Sequence, residues 1–166
     1  LYELDRTNNC LKRLFSCTGD TLLYSVSMDE KGDFWIGSNT GLGQYTPSTN
    51  RYHPLPTSLF GEVSSVICDH RGKVWIGADH MLFAWMLQSR KFILFGESDG
   101  VIPNEYLAKP RLVSGKGEVY MGGANGLLCI DNRFSTAPSD YPEVELTEVY
   151  INGEPATNQI TGQPEK

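Results

Sequence analysis

Short apolar runs divided by Gly, Asn and Asp set the rhythm of this chain. Leu22 to Met28, Val63 to Cys68 and Arg111 to Ser114 are apolar strands, each running into a tight turn. The turns are Asp29-Glu30-Lys31-Gly32, Asp69-His70-Arg71-Gly72 and Ser114-Gly115-Lys116-Gly117. Gly in the last place accepts the positive φ that closes such a hairpin. A second strand leaves each turn in three versions of one phrase: Gly32-Asp33-Phe34-Trp35-Ile36-Gly37, Gly72-Lys73-Val74-Trp75-Ile76-Gly77 and Gly117-Glu118-Val119-Tyr120-Met121-Gly122. Five residues after the last Gly of each phrase a Leu opens a third strand, at Leu42, Leu82 and Leu127. Arg51 to Leu55 and Lys91 to Phe95 supply a fourth in two of the copies. Four short strands per unit predict an all-β protein.

Trp35, Trp75 and Tyr120 stand 40 and then 45 residues apart, a period that suits the four-stranded blade of a β-propeller. What the copies share is assigned to scaffold: Gly32, Trp35, Gly37, Gly72, Trp75, Gly77, Gly117, Tyr120 and Gly122. Leu1 to Asp5 aligns with Leu42 to Thr46, and Leu11 to Leu14 with Tyr52 to Leu55, so the chain opens halfway through a unit. The expected partial propeller covers 1–134, as a half blade (1–16), two blades (17–56 and 57–96) and a last blade (97–134). Residues 135–142 form a Ser/Pro/Asp-rich linker. In 143–156, Glu143-Val144-Glu145-Leu146 alternates polar and apolar, slips at Thr147-Glu148 as a bulge would, and resumes with Val149 and Ile151. Asn152-Gly153 then reads as a hairpin turn. This segment is expected to be the first strand of a following β domain, with a disordered polar tail over 157–166. Two departures put turn shape in question: Asp79-His80-Met81 where the pattern has Asn-x-Gly, and Tyr120-Met121 in place of Trp-Ile.

With 166 residues, 40% hydrophobic and 11% aromatic, the chain has enough apolar material for a packed core. Its net charge of -6 and lack of a basic patch argue against nucleic acid as a partner. No apolar run approaches the roughly 20 residues needed to span a bilayer. Cys68 and Cys129 fall at strand positions held by Met28 and Val113, and by Gln44 and Ala84, in the other units, and are read as small buried hydrophobes. Cys10 and Cys17 flank one loop, which leaves their pairing open.

Candidate chemistry is sparse. His53, His70 and His80 lie on different edges of the units, so no metal site is expected. Asp29 and Asp69 are equivalent turn residues that bond their own backbone, and Asp33 belongs to the same repeat. Gly37-Ser38-Asn39-Thr40-Gly41 lacks the Lys-Ser/Thr of a phosphate loop. The inner strands offer Ser25, Ser27, Ser64 and Ser65 with no carboxylate pair, so no catalytic set and no cofactor are expected.

The recurring Asp-x-x-Gly-x-Phe/Val-Trp-Ile-Gly resembles the regulator-propeller repeat of the periplasmic sensor regions of bacterial hybrid two-component histidine kinases. Asp99-Gly100-Val101-Ile102-Pro103-Asn104-Glu105-Tyr106, with Gly117 to Gly123 and Asn125-Gly126-Leu127, resembles the last blade of such propellers. Pro142 to Pro155 resembles the opening of the tyrosine-rich, immunoglobulin-like domain that follows them. The resemblance implies a non-enzymatic, periplasmic ligand-sensing piece of a parent anchored in the inner membrane, detecting glycans and relaying the signal through the following domain to a histidine kinase and phosphorelay. The alternatives are a fragment of a propeller-fold polysaccharide lyase or glycosidase, and a pure protein-interaction scaffold.

Asn104, Glu105, Tyr106 and Lys109 occupy the insertion that lengthens the last repeat. They are the candidate ligand contacts, because loops on one propeller face carry binding and an aromatic among amide and charged groups suits a sugar. The bland reading is that this insertion caps the last blade, with Tyr106 packed on Trp75 or Trp85. Trp85 replaces Tyr45 and is expected in the core. Missing blades, the following domain and self-association of open blade faces complete the expected partners.

Overall fold

A computed structural model describes residues 2–16, 19–56 and 61–131, together with the backbone of 150–151 and 154–155. The chain divides into two compact units, Leu1–Phe134 and Ser135–Lys166. In the first unit β1 (Tyr2–Asp5) and β2 (Cys10–Arg13) form an antiparallel hairpin. A first sheet follows in chain order: β3 (Leu23–Met28), β4 (Phe34–Ser38), β5 (Gly41–Thr46) and β6 (Arg51–Pro54). The second repeats it with β7 (Val63–Cys68), β8 (Lys73–Ala78), β9 (Met81–Met86) and β10 (Lys91–Phe95). After a 3-10 turn at Glu97–Asp99 comes a third sheet of β11 (Tyr106–Val113), β12 (Val119–Gly123) and β13 (Gly126–Ile130). In the second unit β14 (Tyr150–Ile151) pairs antiparallel with β15 (Glu154–Pro155), placing Ile151 opposite Glu154. The linker, the expected strand over 143–149, the turn residues 152–153 and the tail lie outside the described residues.

The protein is all-β, and its antiparallel meanders are consistent with blades of part of a propeller. Sequence equivalence becomes structural equivalence at the turns, where Gly32, Gly72 and Gly117 take φ of 82°, 90° and 82°. The next turn differs between repeats. In the first and third sheets Gly41 and Gly126 carry the positive φ, at 111° and 120°. In the second, Met81 cannot, and Asp79 and His80 take φ of 45° and 65° instead. Asp and His are among the non-glycine residues that tolerate this region, which makes the substitution workable.

The sheets bury one face each against the next. Trp35 and Leu42 pack on Val63, Val66, Cys68 and Val74 of the second sheet. Trp75, Leu82 and Ala84 pack in turn on Tyr106, Val119 and Met121 of the third. Gly37 and Gly77 make room for this approach: a β-carbon would strike Val63 at the first position and the Tyr106 side chain at the second.

The 45-residue spacing is taken up between Phe95 and Val113. β11 starts at Tyr106, five residues earlier than Arg111, where the apolar pattern put it. Between the pairs Tyr106↔Gly123 and Arg111↔Met121 the chain advances five residues along β11 and only two along β12, so Leu107 to Pro110 bulge out. The bulge hides the strand's length from the sequence.

Candidate functional site

The chemistry that the copies of the repeat share is structural. Asp29 is buried in its turn, where Oδ1 accepts from Lys31 N at 2.9 Å and Asp33 N at 3.0 Å, while Oδ2 accepts from Trp35 Nε1 at 2.9 Å. Asp69 does the same with Arg71 N, Lys73 N and Trp75 Nε1 at 2.8, 3.0 and 3.3 Å. Both carboxylates have each oxygen engaged, which fits anchors rather than general acids. In the third sheet Ser114 replaces Asp. Its Oγ accepts from Lys116 N and Glu118 N and donates to Glu118 Oε2 at 3.0 Å, and Tyr120 Oη donates to the same carboxylate oxygen at 3.3 Å. Tyr for Trp therefore comes with a two-residue relay in place of one carboxylate.

The inner serines fasten one seam between sheets and not the other. Ser25 Oγ donates to Val66 O at 3.3 Å and accepts from Val66 N at 2.8 Å, and Ser27 Oγ accepts from Cys68 N at 2.9 Å. Ser65 holds the place of Ser25 at the next seam, yet its buried Oγ has no partner. The strands facing these serines differ: β11 has four residues bulged out before Arg111, the counterpart of Val66, whereas β7 shifts by one residue between Val63 and Ser65. Arg111, at the place of Val66, reaches across instead. Its Nη2 donates to Val26 O at 2.7 Å and its Nη1 to Ala108 O, and burial pushes its pKa down.

The four insertion residues do not share one pocket. Asn104 and Tyr106 are buried. Asn104 Oδ1 accepts from Asn125 N at 2.9 Å and its Nδ2 donates to Gly126 O at 3.4 Å, tying the insertion to the β12–β13 turn. Tyr106 shares the core cluster of Trp75; its hydroxyl is buried without a partner, and burial raises its pKa. These two border a recess of about 210 Å³ with Asn125 and Cys129. Glu105 and Lys109 are exposed, and Lys109 borders a separate depression of about 400 Å³ with Leu112, Tyr120 and Leu127.

Sequence reasoning missed a groove of about 470 Å³ where the first and second sheets meet, lined by Trp35, Trp85, Asp33, Gln44, His53 and Arg90 among others. Trp85 is half-buried there rather than enclosed. The available signal was departure from the repeat: Trp85 for Tyr45, and Asp33 where the other copies carry Lys73 and Glu118.

The cysteines divide by position. Cys68 is buried, and burial pushes its thiol up to about 12. Cys129 is exposed, against expectation. It lies opposite Tyr120 on β13, on the face that the second sheet covers with the third and that no further sheet covers among the described residues. Its thiol, with Glu118, pushes the Tyr120 phenol up to about 12. Cys10 is exposed and unbridged, and Cys17 lies outside the described residues. His53, His70 and His80 lie on β6 and in two turns of the second sheet. No cluster of three metal-ligating side chains occurs among the described residues. No described helix is long and apolar enough to cross a membrane.

An all-β chain of stacked antiparallel meanders, each fastened by a turn carboxylate or its substitute, is the class that fold and site define. Among solved structures it is similar to the extracellular domain of BT4673 from B. thetaiotaomicron, described in one structure as a one-component and in another as a hybrid two-component system. The first match has 22% identity and a TM-score of 0.59, covering 80% of this chain and 18% of that one. The second has 23% identity and a TM-score of 0.58, covering 81% and 19%. The extracellular domain of the hybrid two-component system BT3049 from the same organism matches at 13% identity and a TM-score of 0.55, covering 80% and 18%. The likeness is one of fold, and this chain spans less than a fifth of each of those chains. No protein-family model and no curated protein matches.

Proposed function

We propose that this chain is part of an extracytoplasmic sensor region, the last blades of a β-propeller leading into a further β domain, in a hybrid two-component system held in the inner membrane of a bacterium. The observation that carries the reading is the shared fold with extracellular domains of such systems. The three-sheet series with its bulged last member agrees with the repeat pattern. The ligand is a glycan, contacted by the insertion of the third sheet. Glu105 and Lys109 are its exposed contacts; Asn104 and Tyr106 hold the insertion in place. The sensor passes its signal to the phosphorelay through the following domain and has no catalytic step of its own.

A glycan array, paired with a polysaccharide hydrolysis assay, tests this. Saturable glycan binding without turnover, weakened by Glu105→Ala or Lys109→Ala, is the expected result. Turnover of any polysaccharide would overturn it. The face of the third sheet that no other sheet covers among the described residues, where Leu112 and Leu127 are 60% and 65% exposed, supports self-association of the isolated chain. Light scattering at micromolar concentration should find an oligomer; a monomer that binds no hydrophobic dye refutes that part.

A further inference from the structure

The two seams of this repeat have walls built from corresponding positions, yet among the described residues only one is open. At the second seam the space between Asp69, Arg71, Lys73, Trp75 and Ile130 has shrunk to about 20 Å³. Arg71 fills it: Nη2 donates to Lys116 O at 3.3 Å, and a β-carbon on Gly117 would strike the guanidinium. At the first seam the matching residues are Asp29, Lys31, Asp33, Trp35 and Trp85, and the space is about 470 Å³. Lys31 stands where Arg71 stands, but a β-carbon on Gly72, the counterpart of Gly117, would meet nothing within 4 Å. The repeat's own filler is absent here, and a large aromatic has replaced Ile130.

The walls specify chemistry. The Trp85 ring is held against Phe92 and Trp35, with centroids 4.4 and 6.4 Å away, so a half-buried indole is fixed in place rather than free to collapse into the groove. Beside it Gln44 Nε2 donates to Asp33 Oδ2 at 2.8 Å. That bond orients both side chains and leaves a carboxylate oxygen and an amide oxygen as acceptors on the groove wall. Arg90 adds donors. Asp29 is buried, with both oxygens already bonded to the turn and to Trp35, so it is a poorer acceptor for a ligand than Asp33. Carboxylates and cations balance along the groove, so neither sign of ion is favoured. A fixed apolar ring face next to paired acceptors and donors complements a ring that is apolar on its face and hydroxylated at its rim.

We infer that this groove binds one ring of a neutral oligosaccharide, stacked on Trp85 with its hydroxyls bonded to Asp33 and Gln44. The inference shares its ligand class with the sensing function proposed above, and it places contact at a site separate from the insertion of the third sheet.

Calorimetric titration of the full chain with cellotetraose, maltotetraose and tetragalacturonate tests it, with tryptophan fluorescence as a second readout. Saturable binding of a neutral tetramer is expected, with altered fluorescence and affinity about tenfold weaker in Gln44→Ala and in Trp85→Ala. Gln44→Ala changes a half-buried strand residue outside the cores, so the test survives if Trp85→Ala fails to fold. Arg6→Ala, an exposed change in the β1–β2 turn outside both proposed contact sites, should bind like the parent chain. Binding lost in Lys109→Ala but kept in Gln44→Ala overturns the groove while sparing glycan sensing. Tighter binding of the uronate overturns the neutral class, and no binding of any of the three overturns the inference.

Discussion

Trp35 donates its indole N–H to Asp29 Oδ2 at 2.9 Å, so the buried Trp of β4 checks the shape of the turn six residues before it, as Trp75 does on β8. The same carboxylate ties down two backbone N–H groups of the turn. One side chain thus couples hairpin closure to packing between sheets. Asp69→Ala, at the equivalent position, strands a buried indole N–H and two turn donors. It should destabilise the chain by about 2–4 kcal/mol, since each unsatisfied buried group costs about 1–3 kcal/mol. Asp69→Asn keeps one acceptor oxygen and should cost less. Urea unfolding followed by circular dichroism would measure both, and equal stability of the alanine variant and the parent would refute the coupling.

Trp75 is 2% exposed and fills the seam between the second and third sheets. Trp75→Ala removes that burial and leaves a cavity that rigid sheets cannot close, at about 3–5 kcal/mol. Thermal unfolding within error of the parent chain would disprove the assignment.

Two glycines of the repeated phrase should fail for different reasons. Gly72 sits at φ 90° with open space around its missing side chain, so Gly72→Val acts through backbone strain alone and should cost at least about 1 kcal/mol. Gly77 has no such dihedral, but its β-carbon would strike Tyr106. Gly77→Ala should cost about 1–3 kcal/mol by overpacking. Pairing it with Tyr106→Gly, which removes the side-chain atoms it would strike, should recover part of that loss in a double-mutant cycle, whereas Gly72→Val should show no coupling to Tyr106.

Cys68 resists ionisation, because burial disfavours its thiolate and lifts its pKa from 9.0 to about 12. Native protein treated with iodoacetamide at pH 8 should be alkylated at the exposed Cys10 and Cys129 and spared at Cys68, as read by peptide mass mapping. The folded state holds this proton more tightly than the unfolded state. Its contribution to stability is therefore complete below pH 9 and declines as pH rises toward about 12. Cys68→Ala should flatten that part of the stability curve.

The sequence by itself determined whatever depends on local backbone geometry and on repetition. Turn glycines with positive φ, the strands around Trp35 and Trp75, and the pairing of Leu42 and Leu82 with the phrase glycines follow from short-range rules applied in register. The tertiary structure decided what depends on neighbours distant in sequence. Ser25 and Ser65 are identical residues at equivalent positions, yet only Ser25 bonds the neighbouring sheet, a difference that depends on the strand facing each of them and not on the serine itself. Lys31 and Arg71 differ by one functional group, and that difference helps leave one seam open and the other filled. Cys129 has a buried counterpart in Ala84 and is itself exposed, because burial belongs to the sheet that covers a residue and not to the strand that carries it.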